Sequence, residues 1–277
     1  MSRTYTANGL VIREHKMGEA DKLLTLLTPE YGQIRVMCKG ASSFKNRSMA
    51  ATQPFSWCNF EIYKKDDYNW LRQAELLDSF FDLRADLAAL ALGAYICEVM
   101  CDVTPEMQPA ADLTRLTLNT LHAVSKQLRP NAQVKGVFEL RLAGYIGFMP
   151  DLARCCKCGE EHPQPAGAGH PHAAFIDVMN GRLVCRECNA RKAAGAVRPV
   201  PVGGDDDRRE ERIVIVPVTP GVLEAMRFAL RALPERMFSF TLDGGELRGF
   251  AAACETYLLN HLERGFNTLD FYKTVME

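Results

Sequence analysis

Four of the chain's ten cysteines form two close pairs, Cys155-x2-Cys158 and Cys185-x2-Cys188, with 26 residues between the pairs. A tight turn inside each pair lets two sulfurs converge on one ion, and Gly159 can take the backbone angles such a turn needs. Four thiolates complete a tetrahedron and leave no open position, so one structural Zn²⁺ is expected rather than a catalytic one. A four-cysteine iron–sulfur cluster, or thiol exchange by Cys155, Cys156 and Cys158, explains two separated pairs less simply. His162, His170 and His172 lie between the pairs and read as loop residues, because four sulfurs already suffice. Cys156 reads as a bystander, and Cys38, Cys58, Cys97, Cys101 and Cys254 read as small core residues.

A second cluster is cationic. Residues 31 to 60 contain Arg35, Lys39, Lys45 and Arg47 and no Asp or Glu, and Lys64 and Lys65 follow. The run KGASSFKNRS combines these cations with backbone N–H groups and the ring of Phe44. Cations along a phosphate chain, with rings on which bases stack, are what single-strand grooves require. The net charge of −1 excludes a globally basic nucleic-acid binder, so any such surface must be local. Phe55, Tyr63 and Trp70 are ambiguous; Phe55 and one of the other two are expected in the core of the barrel that the strands around them form.

Catalytic motifs are missing from the sequence. It has no Walker loop, no GxSxG elbow, no HExxH and no Gly-rich dinucleotide turn, and Glu19 with Asp21 sits in a turn without the marks of a catalytic dyad. A binding protein is expected, not an enzyme.

The elements that must position these residues are legible in the periodicity. Five strands are expected between Tyr5 and Phe81, in TANGLVIREH, KLLTLLTP, QIRVMCKGA, WCNFEIYKK and WLRQAELLDSF, with turn-forming residues between them. In the fourth, Cys58, Phe60 and Ile62 alternate with Trp57, Asn59 and Glu61. Five short strands in about 80 residues point to an OB-fold barrel. From Leu83 the period is helical, and Leu83, Leu87, Leu90, Ala94 and Cys97 form an apolar stripe.

The expected fold class is therefore α+β: an N-terminal OB-fold (residues 1–81), a helical domain (82–150 and 213–277) and an inserted four-cysteine zinc finger (151–192). A polar, Gly- and Pro-rich linker or loop occupies 193–212. The last helix is expected to end near Gly265. No apolar run nears the roughly 18 residues of a membrane span, and no leader precedes the strand sequence at Thr6, so a cytoplasmic protein is expected.

The order of parts resembles the RecO family of bacterial recombination mediators along nearly the whole chain. The resemblance rests on GLVIREHKMGEADKLLTLLTPEYGQIRVMCKGA, on Gln53 to Phe55, on FELRLAGYIGFMPDLARCCKCG, on GRLVCREC and on LERGFNTLDFYKTV. It implies an OB-fold, a helical domain and an inserted zinc finger. It further implies binding of single- and double-stranded DNA, annealing of complementary strands, and help to RecA in replacing single-strand binding protein, together with RecR. A nucleoid-associated location follows from that activity.

The family's basic surface falls on the KGA segment and beyond, which makes Arg35, Lys39, Phe44, Lys45, Arg47, Lys64 and Lys65 the expected DNA contacts. Many relatives carry another basic residue after KGA, where this chain has Ser42 and Ser43. The acidic segment 205–211 is no feature of the family. An acidic tail of single-strand binding protein would need an apolar pocket rimmed by cations, for which Arg227, Arg231, Arg248 and Arg264 are the candidates. Two other readings stand beside this one: an adaptor of the same fold that contacts only proteins, and a redox sensor using the CxxC pairs. DNA binding by the isolated chain separates the first alternative, and metal content the second.

Overall fold

The computed structural model describes residues 3–41, 49–161, 174–194 and 214–276. The chain divides into two compact units, residues 1–134 with 265–277, and residues 135–264.

The first unit is built on five strands: β1 (Arg3–Met17), β2 (Asp21–Thr28), β3 (Gly32–Cys38), β4 (Trp57–Lys65) and β5 (Tyr68–Asp78). They close into a barrel in the order β1-β2-β3-β5-β4, as expected for an OB-fold. Strand β1 serves two neighbours. Its first half, Arg3 to Leu10, pairs with β4, and its second half, from Leu10 onward, pairs with β2 with a register shift between Val11 and Arg13. An extra residue at such a bulge bends the strand and increases its twist, which is what a small barrel needs. Cys58, Phe60 and Ile62 point inward from β4 as the alternation predicts, and join Val11, Leu24, Leu26, Ile34 and Val36 in the barrel core.

Closure between β3 and β5 is sparse. One parallel residue pair, Met37 with Trp70, joins them, helped by Asn69 Nδ2 donating to the Arg35 carbonyl at 3.0 Å. Nearby, the segment Pro105–Met107 lies against the start of β3: Gln33 N–H donates to the Pro105 carbonyl at 2.9 Å, and Ala110 N–H to that of Pro29 at 2.9 Å. The close approach requires a glycine. Gly32 has φ of 59°, and a Cβ there would overlap the carbonyl oxygens of Pro105 and Gln108.

By packing, α1 (Leu87–Val103), α2 (Ala111–Ser125) and α7 (Asn267–Met276) belong with the barrel, not with the helices of the second unit. Asp86 caps α1 by accepting from Ala88 N–H at 3.0 Å. The buried face of α1 differs from the expected stripe. Ala89, Leu92, Tyr95, Ile96, Val99 and Met100 are buried along with Cys97, whereas Leu87 is 57% exposed and Leu90 and Ala94 are half-buried. A helix contacted on several sides buries more than one stripe, so spacing alone does not select the face. Phe55, expected in the barrel core, is instead buried beneath α1, where its ring lies close to Gly93.

The chain's last helix is α7, beyond the expected end near Gly265. Its start is fixed by Thr268 N–H donating to Glu98 at 3.2 Å and by an edge-to-face contact between Phe266 and Tyr95 with ring centroids 5.8 Å apart.

The second unit holds a four-stranded sheet, β6 (Asp151–Cys155), β7 (Ala174–Asp177), β8 (Arg182–Cys185) and β9 (Ile215–Val218), in the order β6-β8-β7-β9. Its helices are α4 (Arg186–Ala194), α5 (Pro220–Arg231), α6 (Gly244–Leu262) and α3 (Asn131–Tyr145) from Lys135 onward. Strand β9 follows the expected linker yet completes the cysteine module's sheet by pairing with β7. The linker itself lies largely outside the described residues.

Thr219 and Asp243 cap α5 and α6, and the Arg141 guanidinium donates to the Ala229 and Ala232 carbonyls at the end of α5. Lys135, 3% exposed, is paired with Glu139 at 2.9 Å and Glu255 at 2.7 Å, joining α3 to α6. Burial alone would lower the Lys135 pKa, but the two carboxylates outweigh it and raise it, so the ammonium is held charged. No helix among the described residues is long and apolar enough to cross a membrane.

Two substitutions test these contacts. Gly32→Ala is expected to destabilise the first unit by at least ~2 kcal/mol in denaturant unfolding, since it adds both backbone strain and overlap. Lys135→Met should cost the second unit ~3–5 kcal/mol, because it leaves buried carboxylates without their cation.

Candidate metal centre and nucleic-acid interface

The cysteine pairs converge because two parallel neighbours end side by side. Strands β6 and β8 pair, and each ends on a cysteine, Cys155 and Cys185. Cys158 lies in the turn after β6 and Cys188 in the first turn of α4. Gly159 closes the first turn with φ of 77° and its N–H on the Cys155 carbonyl at 2.9 Å. The four sulfurs lie within 4.8 Å of one another, and those of Cys158 and Cys185 are 3.9 Å apart. Metal–sulfur bonds of about 2.3 Å in a tetrahedron place sulfurs about 3.8 Å apart, so the group has the dimensions to hold a metal ion.

Backbone amides already point at the sulfurs. Lys157 and Cys185 N–H donate to Cys155 Sγ at 3.4 and 3.3 Å, and Cys188 N–H to Cys185 Sγ at 3.4 Å. Burial works to raise the Cys155 pKa, but donors from Cys185, Cys158 and Lys157 outweigh it and bring it down to about 6. Cys185 is raised, chiefly by burial. Cys188 is pushed up to about 12, first by its hydrogen bond with Cys185 and then by burial. Without a cation, four adjacent sulfurs cannot all ionise, because each new thiolate repels the last. The other thiols contrast with this group. Cys38, Cys58, Cys97 and Cys254 are buried, and burial pushes Cys38 and Cys58 up to about 12. Cys156 is exposed, and His162, His170 and His172 lie outside the described residues.

The cations expected to meet DNA come from separate strands. Arg35 is exposed on β3 and makes an ion pair with Glu106 at 2.8 Å. Lys39 follows β3, with its ammonium 5.0 Å from the centre of the Trp70 ring on β5. Lys64 and Lys65 end β4, opposite Asn69 and Tyr68 of β5. Asn69 links the two sides, lying across from Lys64 and donating to the Arg35 carbonyl. The barrel therefore gathers Arg35, Lys39, Lys64 and Lys65 around the β3–β5 seam. Phe44, Lys45 and Arg47 lie outside the described residues. Asp21 has a structural place here, accepting from Gly40 N–H at 2.8 Å and so tethering the end of the KGA segment.

Spacing of residues did not single out two residues that the structure places at the seam. Tyr68 is exposed at the β4–β5 hairpin, where Asp66 takes a left-handed φ of 55°. Its signal was the DDYN turn, which puts the residue after the turn opposite Lys65. Glu106 is 71 residues from Arg35 and gave no local signal.

The arginines considered for partner binding are differently placed. Arg227 donates to the Leu152 carbonyl at 2.9 and 2.7 Å and pairs with Glu224 at 2.6 Å, tying α5 to β6. Arg231 on α5, Arg248 on α6 and Arg264 after α6 are exposed.

A closed five-stranded barrel with a local cationic seam, accompanied by helices and a four-cysteine group that could hold a metal ion, defines a class of OB-fold proteins with a cysteine-rich module. Residues 1–80 match the family Recombination protein O N terminal, and residues 84–200 the family Recombination protein O C terminal. Proteins named DNA repair protein RecO are similar over almost the whole length. Those from Symbiobacterium thermophilum and Desulforudis audaxviator are 30% and 31% identical, each match covering 98% of this chain and 97% of the relative. One from Acetivibrio thermocellus is 27% identical over 97% of this chain and 96% of its own. The chain belongs to the RecO family of DNA repair proteins.

The thiol chemistry makes a direct prediction. Adding Zn²⁺ as a probe to metal-free protein at pH 7.5 should release at least two protons, from Cys185 and Cys188, while Cys155 contributes little because it is already ionised above about 6. Affinity should fall further as the pH drops through about 6 and Cys155 takes up its proton. Calorimetry in buffers of different ionisation enthalpy measures both effects.

Proposed function

We propose that this chain is a recombination mediator that binds single- and double-stranded DNA on its barrel, anneals complementary strands and helps RecA onto DNA coated by single-strand binding protein. The observation that carries the reading is the convergence of Arg35, Lys39, Lys64 and Lys65 at one seam of a closed barrel, in a chain whose net charge is −1. Phe44, Lys45 and Arg47 extend that cationic sequence in the same reading. The protein acts by binding, with no chemical step of its own, and works in the bacterial cytoplasm at the nucleoid.

One zinc ion in the four-cysteine site is the cofactor of this reading. Cys155, Cys158, Cys185 and Cys188 would hold it, and four sulfur ligands leave no position for a substrate, so its role is to fix β6, β8 and α4 together. RecR and the acidic tail of single-strand binding protein are the proposed protein partners, with RecA reached indirectly. Arg231, Arg248 and Arg264, all exposed, are the candidates for the acidic tail, and Arg227, tied to the Leu152 carbonyl and Glu224, is the weaker one.

Phosphate contacts make affinity depend on salt. About four contacts to a single strand should give a log–log slope near −3, and the Lys39→Ala/Arg47→Ala double variant should flatten it by about 1.4. Fluorescence anisotropy with a labelled oligonucleotide across a salt series measures the slope, and an annealing assay the activity. Unchanged slope and annealing in the variant would place DNA on another face. Absence of binding at low salt would favour an adaptor whose basic seam receives an acidic peptide.

A further inference from the structure

The β3–β5 seam also encloses space. A cavity of about 470 Å³ opens there, within the ~300–1,000 Å³ typical of small-molecule clefts. Its apolar walls come from Met17, Leu23, Ile34, Met37 and Met107, and its charged lining is Arg35, Lys64, Asp67 and Glu106. Two cations and two carboxylates cancel, so the cavity suits an uncharged planar group better than a phosphate. Tyr68 at its mouth is 63% exposed, an unusual place for a large ring without a partner surface. Asn69 in the lining is held from both sides, accepting from Tyr5 Oη at 3.2 Å and donating to the Arg35 carbonyl at 3.0 Å. Gln33, 8% exposed, also lines the cavity, and its buried side-chain oxygen meets no donor among the described residues.

We propose that this cavity is a subsite for one unstacked nucleobase of a single strand, with Tyr68 as its stacking ring and Lys64 and Arg35 holding the flanking phosphates. The inference rests on the DNA-binding reading above and adds where a base goes. A base brings what the lining lacks: a flat face for Tyr68 and an edge N–H group for the Gln33 side-chain oxygen. Apolar methionine walls adapt to rings of different size, so the subsite takes any base. The pair between Arg35 and Glu106 is exposed on both sides and therefore weak, so a phosphate can draw Arg35 away from Glu106.

The test compares a labelled single strand with a strand of the same length made of abasic units, which keeps every phosphate and removes every base. The full-length protein is used as wild type, Tyr68→Ala and Tyr68→Phe, each over a salt series. The wild type should prefer the base-bearing strand by roughly 5- to 150-fold, the range that stacking of one base on an aromatic ring gives. Tyr68→Ala should lose that preference while keeping its abasic-strand affinity and salt slope, and Tyr68→Phe should retain it. Salt-sensitive binding with equal affinity for both strands, or a preference unchanged by Tyr68→Ala, would overturn the subsite and leave the DNA reading standing. No binding to either strand at low salt would overturn both.

Discussion

A sheet curled into a barrel must bring its two edges together, and here the closing contact between β3 and β5 is minimal: one residue pair, Met37 with Trp70, and one side-chain bridge from Asn69. Much of what distinguishes the first unit follows from that sparse closure. Unpaired backbone at the start of β3 has to find partners, because buried amide groups without them are costly. The Pro105–Met107 segment supplies them through the Gln33 amide, and Gly32 makes its approach possible. The same gap leaves room for the cavity and for exposed cations on its rim.

Electrostatics at the seam are correspondingly local. Arg35 and Lys39 on one side, Lys64 and Lys65 on the other, sit within a near-neutral chain, and each of the first two has a weak neighbour, Glu106 or the Trp70 ring. Such arrangements hold a long side chain in place at little energetic cost and release it readily to a stronger anion.

In the second unit, polar groups are committed to structure. Lys135 with its two carboxylates, Arg141 at the end of α5 and Arg227 on the β6 carbonyls each satisfy charges or carbonyls that packing has removed from water. The four sulfurs are likewise drawn together, by backbone amides that donate to them. Amides aimed at Cys155 lower its pKa, whereas those of Cys185 and Cys188 are raised.

Sequence by itself determined the features set by local periodicity and spacing. The alternation of Cys58, Phe60 and Ile62, the five strands and the two CxxC pairs each depend on residues a few positions apart, and the structure has them as read. The cationic run was legible as composition, though not as a surface. What only the tertiary structure decided are the contacts made by residues far apart in the chain. The buried faces of α1 depend on barrel and α7 together, and Phe55 left the barrel core because Gly93 of α1 offered its ring a place. The joining of β9 to the cysteine module crosses a long polar segment, and α7 returns to α1 from the far end of the sequence. Glu106 reaches Arg35 across 71 residues. Pairings of that kind are fixed by which surfaces remain unburied once the local elements have formed, and no window of neighbouring residues contains that information.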